Sequence, residues 1–316
     1  MSQNDIIYLR EGKGVVIVDT YFKEIDLGDK PVFDHYFSLR HYENSEFTFT
    51  NMFIWRYAFN LRFTIIEDCL CVIGKFGKDF HYFFPPIPGE NSRVDIAVHN
   101  LIQYFKEHGY PVVMKGITHA TREMLEEAVP GLFRYERDFN NDDYVYRTED
   151  LIHLRGKKYH QKKNHINKFL KSYQYTYEPV GENNIEECIQ AELEWMKNKD
   201  PIPGLEDEKV AVLEALRNFD ALKLKGGALR IDGKIQAFSL GELINPEMAV
   251  IHIEKANTRY HGCYAMINQQ FAEHCWKDVP YINREEDMGI PGLRQAKRSY
   301  HPVKMVEKFT GFLSEE

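Results

Sequence analysis

Ala228-Leu229-Arg230-Ile231-Asp232-Gly233-Lys234-Ile235-Gln236-Ala237-Phe238-Ser239-Leu240-Gly241-Glu242-Leu243 decides the fold. Two apolar runs flank Asp232-Gly233, the two-residue connection that type I′ hairpins prefer because both central residues take positive φ. Residues 228–231 and 234–243 are therefore paired strands. Asn245-Pro246 turns the chain into a third strand over 248–254. Upstream, an aromatic-rich strand is expected at 173–177. A helix follows over 185–196, where Ile185, Ile189 and Leu193 align four apart, then the loop Asp200-Pro201-Ile202-Pro203-Gly204 and a helix over 206–219. Downstream come a helix at 264–276, a strand at 279–285, a short helix at 291–299 and a closing hairpin over 302–312.

The first half mixes strands and helices. Residues 63–73 and 80–84 read as apolar strands, the second ended by Pro85-Pro86-Ile87-Pro88-Gly89. Asn91-Ser92 can cap a helix running to His108, with Gly109 as its stop, and 111–117 is a further strand.

Length and composition bound the class. A chain of 316 residues, 43% hydrophobic and 28% charged, is large enough for two domains. It has no apolar run near the roughly 18 residues of a membrane span, and the stretch 15–18 is too short for a signal-peptide core, so a cytoplasmic protein is expected. The five cysteines form no CxxC and read as reduced thiols; Cys69 and Cys71 share one strand face as core filling. The net charge of -8 arises wholly before residue 151. Against it stands a basic block, Arg155, Lys157, Lys158, Lys162, Lys163, Lys168 and Lys171, with no carboxylate until Glu178. A localised phosphate contact fits this pattern better than general nucleic-acid affinity.

The order strand, two helices, three antiparallel strands, helix, strand, helix and terminal strands resembles the Gcn5-related N-acetyltransferase (GNAT) fold. Arg259-Tyr260-His261-Gly262-Cys263-Tyr264 stands where that superfamily places the Arg/Gln-x-x-Gly-x-Gly/Ala loop holding the coenzyme A pyrophosphate at a helix start. Arg259 and Gly262 match the pattern, and Tyr264 replaces its last small residue. The run Tyr281-Ile282-Asn283-Arg284-Glu285-Glu286-Asp287-Met288-Gly289-Ile290-Pro291-Gly292-Leu293-Arg294, together with Gly156-Lys157-Lys158-Tyr159-His160-Gln161-Lys162-Lys163-Asn164, is similar to the stand-alone bacterial family related to the C-terminal domain of phosphatidylglycerol lysyltransferase. That resemblance spans about residues 20–312. It implies an α+β protein of two tandem GNAT-like domains, each a mostly antiparallel mixed sheet flanked by helices, akin to the Fem-type aminoacyltransferases. The domains would be 1–150, a degenerate copy, and 151–316, the working lobe, opened by a basic helix over 155–171. The membrane-spanning half of the lipid lysyltransferases is missing from this sequence, which disfavours a lipid acceptor.

Acyl transfer needs a base, donors for a developing oxyanion and a proton for the leaving group. Glu285, Glu286 and Asp287 are the base candidates, because adjacent carboxylates raise one another's pKa; the same run also reads as a solvated strand end. Period-two geometry puts Asn283, Glu285 and Asp287 on one face and Arg284 and Glu286 on the other. The opened backbone of the strand 248–254 would supply an oxyanion donor. Arg294, Lys297 and Arg298 cluster on the following helix as a clamp for phosphate or carboxylate. Tyr300 is the general-acid candidate, the alternative being a half-buried tyrosine with a satisfied hydroxyl. On the basic helix, His160, Lys163, Asn164 and Asn167 line one stripe and Lys158, Lys162 and His165 another, presenting cations to a tRNA acceptor stem or a nucleotide, or simply facing solvent. Arg259, Gly262, Cys263 and Tyr264 would receive donor phosphates. Asn51 and Trp55 fit the family pattern, with aromatic core packing as their plainer reading, and His252 reads as a hydrogen-bonded core residue. His160 and His165 are five apart, the wrong spacing for a helical metal pair, so no metal site is expected. The expected reaction moves an acyl or aminoacyl group from acyl-CoA or aminoacyl-tRNA, neither tightly bound, to a small-molecule or peptide amine. The rivals are an ordinary acetyl-CoA-dependent N-acetyltransferase and a non-catalytic binding module.

Overall fold

The computed structural model describes residues 21–77, 79–197 and 204–314; the expected loop at 200–203 and the run at 15–18 lie outside them. In chain order the elements are β1 (Lys23–Glu24), α1 (Lys30–Ser38), α2 (Phe49–Trp55), β2 (Arg62–Ile66), β3 (Cys69–Phe76), β4 (Phe80–Phe83), β5 (Ile87–Pro88), α3 (Val94–Glu107), β6 (Val113–Ile117), α4 (His119–Ala128), β7 (Phe133–Arg137) and β8 (Asp143–Arg147). They continue with α5 (Thr148–His153), α6 (His160–Ser172), β9 (Tyr175–Pro179), α7 (Ile185–Lys197), α8 (Leu205–Arg217), β10 (Lys225–Ile231), β11 (Lys234–Asn245), β12 (Met248–Ala256), α9 (Cys263–Cys275), β13 (Tyr281–Asn283), α10 (Pro291–Arg298), β14 (Lys304–Val306) and β15 (Phe309–Leu313).

The sequence reading cut the chain once, at residue 150. By contact the chain divides into a first unit of residues 1–25, 58–137 and 309–316 and a second of 26–57 and 138–308. Buried polar bonds explain why 26–57 joins the second unit: Ser45 N–H and Oγ bond the Asp143 carboxylate, and the Asn245 amide donates to the Tyr42 carbonyl at 2.7 Å.

In the first unit the sheet order is β1-β2-β3-β4-β6-β15-β7, with β5 paired to β3. β2, β3 and β4 are antiparallel, while β6 runs parallel to β4. Helices α3 and α4 bury Leu101, Phe105 and Leu125 in the same core as Cys69, Cys71 and Phe83. The single strand expected over 63–73 is a hairpin instead. Glu67 and Asp68 take φ of +49° and +54° without a glycine to announce the turn. The helix over 94–107 starts at an Arg93 N-cap whose side chain bonds Asp95 and does not cap the backbone, rather than at Asn91-Ser92.

In the second unit the order is β14-β8-β13-β12-β11-β10-β9. Asp232 and Gly233 take φ of +49° and +75°, as the type I′ reading requires. β10, β11 and β12 are antiparallel and β13 is parallel to β12. Each sheet thus carries an antiparallel meander, a crossover helix and one parallel strand, the repeated GNAT-like plan expected. One face packs on α5, α6 and α9 through Leu151, Phe169, Ile267 and Phe271. The opposite face meets α7 and α8, with Trp195 stacked on Phe238. The expected closing hairpin does not form, because β14 pairs with β8 whereas β15 pairs with β6 and β7. No helix among the described residues is long and apolar enough to cross a membrane.

Candidate active site in the second unit

β12 and β13 are parallel neighbours only from Met248 opposite Tyr281 to Val250 opposite Asn283. Beyond that point β12 runs on to Ala256, while the other chain stays with β8. Arg284 N–H donates to the Tyr144 carbonyl at 2.9 Å, and Tyr144 N–H to the Glu285 carbonyl at 3.2 Å. The strands part, and past Val250 the backbone of β12 has no strand among the described residues on its β13 side. Inside β12 a bulge adds to this opening: consecutive residues Leu240 and Gly241 pair with Ile253 and Ile251, leaving His252 extra. The bulge shifts the alternation. Glu254 meets Asn268 on α9, whereas His252 meets Glu242 and Lys255 meets Glu208 on α8.

The strand expected through Glu285 stops at Asn283, whose side-chain oxygen accepts from Glu285 N–H at 2.7 Å. Glu285 and Met288 then take φ of +55° and +51°. The expected alternation of side chains from Asn283 to Asp287 therefore fails, and the three carboxylates enter three environments. Glu285 accepts from His252 Nδ1 at 2.8 Å and from the Asn51 amide at 3.3 Å. On its other side, His252 Nε2 lies 3.0 Å from Glu242. Burial alone would lower the His252 pKa, but its two carboxylates outweigh burial and raise it to about 9, so the ring is an imidazolium at neutral pH.

Asp287 is fully buried, grips Arg294 through both oxygens at 2.7 Å and accepts from the Tyr144 hydroxyl at 2.6 Å and from Gly289 N–H at 2.8 Å. These bonds overcome burial, which works the other way, and hold the Asp287 carboxyl down at about 2. Its lone pairs are taken up within the fold. Glu286 is the opposite case. Burial raises its pKa to about 7; Lys308 pulls against that, and Glu285, Asp143 and Glu46 add to it. The Lys308 ammonium donates to Asp143 and Glu46 at 2.7 Å each and stands 4.0 Å from Glu286. One buried cation among three carboxylates leaves a proton to be shared near neutral pH.

The remaining predicted residues separate by role. Asn283 is buried, its amide donating to the Glu43 carbonyl and to Asp143. Arg284 bonds Glu254 at 2.8 Å, with its guanidinium 4.9 Å from the Tyr300 ring centroid and 5.6 Å from that of Tyr146. Tyr300 is buried beneath Arg284 and Lys162, and burial drives its phenol well above the usual range. Lys297 donates to the Arg284 and Glu286 carbonyls and so fixes the turn between them. With Arg294 on Asp287, Lys297 on carbonyls and Arg298 exposed, the three do not form the expected free clamp.

Gly262 caps α9 at φ +85°, and a Cβ there would run into the His165 carbonyl of α6. His261 N–H donates to the Tyr173 hydroxyl and Cys263 N–H to the Tyr260 carbonyl. Cys263 is buried, Tyr264 is partly exposed with its phenol raised to about 12 by burial, and Arg259 faces solvent. On α6 and the turn before it, Lys158, His160, Lys163, Asn164 and Asn167 are exposed; Gly156, Lys157, His160 and Lys163 line a hollow of about 620 Å³.

His252 is the hydrogen-bonded core residue expected, and its two carboxylate partners are Glu242 and Glu285. Sequence reasoning passed over Glu242, Asp143, Lys308 and Glu46. Lys308 and Asp143 sit in or beside short strands with no local motif.

Among solved structures, a conserved protein of unknown function from Bacteroides thetaiotaomicron is 37% identical, with a TM-score of 0.85 covering 93% of this chain and 99% of that one. L-PGS from Bacillus licheniformis has a TM-score of 0.64 at 14% identity, covering 93% and 94% of the two chains. FemX has a TM-score of 0.53 at 9% identity, covering 93% and 98%. A curated relative, an uncharacterized protein of Mycoplasmoides gallisepticum, is 23% identical over 181 residues, which is 54% of this chain and 56% of that protein. The chain thus matches little more than half the length of that curated relative. The family model described as phosphatidylglycerol lysyltransferase, C-terminal, matches residues 37–312, well over half of the sequence, and the chain belongs to that family.

Proposed function

We propose that the chain moves an acyl or aminoacyl group from an activated ester to a small-molecule or peptide amine, using the wedge between β12 and β13. The observation that carries this reading is the parting of β12 and β13 after Val250 and Asn283, three residues before Glu286, a carboxyl that burial raises to about 7. The acceptor nitrogen attacks the ester carbonyl; a C–N bond forms and Glu286 takes the proton. The oxygen that gains charge lies against backbone amides of β12 left without a strand partner. The C–O or C–S bond then breaks, and the leaving group recovers a proton from Glu286 or from Tyr300, whose buried phenol stays protonated. His252 and Asn51 hold Glu285 in place beside this exchange.

The exposed cations of α6 around the 620 Å³ hollow favour aminoacyl-tRNA as donor, its phosphates resting there. The first turn of α9 beyond Gly262 has no side-chain cap, which favours acyl-CoA as a second reading. Incubating the protein with labelled aminoacyl-tRNA or acetyl-CoA and a panel of amines, with melting curves recorded in parallel, separates these donors. Transfer from either donor that is lost in Glu286→Gln supports the reading. Neither transfer nor stabilisation by any donor would leave a non-catalytic module.

A further inference from the structure

On the α9 side of the wedge two cations meet one carboxylate. Glu254 spends one oxygen on Arg284 at 2.8 Å and the other on the Asn268 amide at 3.0 Å. Lys162, turned inward from α6, has its ammonium 4.0 Å from the Tyr300 ring centroid and no carboxylate within ion-pair distance among the described residues. Two buried atoms beside that Glu254 carboxylate have no hydrogen-bond partner among the described residues: Arg284 Nη1, a donor, and Asn268 Oδ1, an acceptor on a residue only 5% exposed. Buried donors and acceptors are nearly always satisfied, so an orphan of each kind, on neighbours sharing Glu254, needs an explanation.

We infer that this cluster binds the carboxylate of an amino acid or a peptide C-terminus, seated between Lys162 Nζ and Arg284 Nη1, with the ligand's N–H donated to Asn268 Oδ1. The net single positive charge of the cluster matches one monoanion. The Tyr146 and Tyr300 rings already hold the guanidinium plane, so little side-chain freedom is lost on binding. The role of this ligand as acceptor or co-substrate rests on the transfer reading; its binding does not. The cluster also makes its own pH signature. Burial, then the nearby Arg284, lowers the Lys162 pKa to about 8, with Glu254 opposing. A bound anion raises it, so binding near pH 8 draws up to about half a proton from the buffer.

Isothermal titration calorimetry of the full chain at pH 8, in two buffers of different ionisation enthalpy, tests this with N-acetylglycine, N-acetylglycinamide and inorganic phosphate as probes. The expected result is saturable binding of N-acetylglycine, none of its neutral amide, a buffer-dependent heat showing proton uptake, and about tenfold weaker binding with no uptake in Lys162→Met. Arg284→Lys, which keeps the charge and removes the second arm of the fork, is expected to weaken binding as well. Binding of phosphate without N-acetylglycine, equal binding of acid and amide, or affinity untouched in a folded Lys162→Met would each overturn the assignment. Transfer activity without N-acetylglycine binding sinks this inference alone; binding without transfer sinks the transfer reading alone.

Discussion

The imidazolium of His252, held between Glu242 and Glu285, makes the second unit lose stability as pH rises. Burial opposes charging the ring, yet the two carboxylates lift its pKa from 6.5 to about 9. Because the folded pKa lies above the unfolded one, the contribution is complete below pH 6.5 and disappears as pH climbs through 9. The shift corresponds to about 3 kcal/mol at roughly 1.4 kcal/mol per pKa unit. In a unit of roughly 200 residues, that amounts to a fall in Tm of about 6–12 °C between pH 6.5 and 9. All three tryptophans of the sequence, Trp55, Trp195 and Trp276, belong to the second unit, so tryptophan fluorescence reports its melting selectively. His252→Gln removes the titrating cation while leaving an amide to bond one carboxylate. It is expected to melt well below the wild type at pH 6.5, with the gap closing toward pH 9. A wild-type and a variant curve running parallel across that window would show that the ring is neutral in the fold and refute the charge assignment.

Three further outcomes follow from the same geometry. Glu286→Gln should cut transfer about 100-fold or more, as loss of a general base does, with Tm within a few degrees, because Lys308 keeps its bonds to Asp143 and Glu46; loss of folding instead would make Glu286 structural. Arg294→Ala strands the fully buried Asp287 carboxylate and should cost about 3–5 kcal/mol in urea unfolding, part of it regained by adding Asp287→Asn; an unchanged midpoint would free Arg294 for substrate after all. Gly262→Ala has to place a Cβ at φ +85° against the His165 carbonyl, so denaturant melts should show a loss above the roughly 1 kcal/mol of the backbone conformation alone, and a neutral effect would mean that α6 does not press on this loop.

What the sequence disclosed and what it hid divides along a physical line. Asp232-Gly233 was legible because a two-residue type I′ turn needs positive φ twice and few residue pairs provide it. The order of β9 to α10 was legible because Pro, Gly and Asn separate periodic runs. Glu67-Asp68 adopts the same left-handed conformations with no glycine, so that hairpin passed for one strand. The acidic run 285–287 was recognised as chemically unusual, but its geometry rests on the Asn283 side chain capping the Glu285 amide and on β8 drawing the chain away from β12, pairings of distant residues that no local pattern encodes. The largest omission has the same origin. Lys308 serves Asp143, Glu46 and Glu286, separated from it by 165, 262 and 22 positions, and each looks ordinary in its own neighbourhood. A carboxyl poised near pH 7 is a property of that gathering and not of any residue in it, since burial raises Glu46 and Glu286 and one ammonium must serve both together with Asp143. Moving Lys308 to Met should therefore push the Glu286 pKa further up and shift the acid limb of any transfer pH profile to higher pH, whereas an unmoved limb would place the working base elsewhere in the wedge.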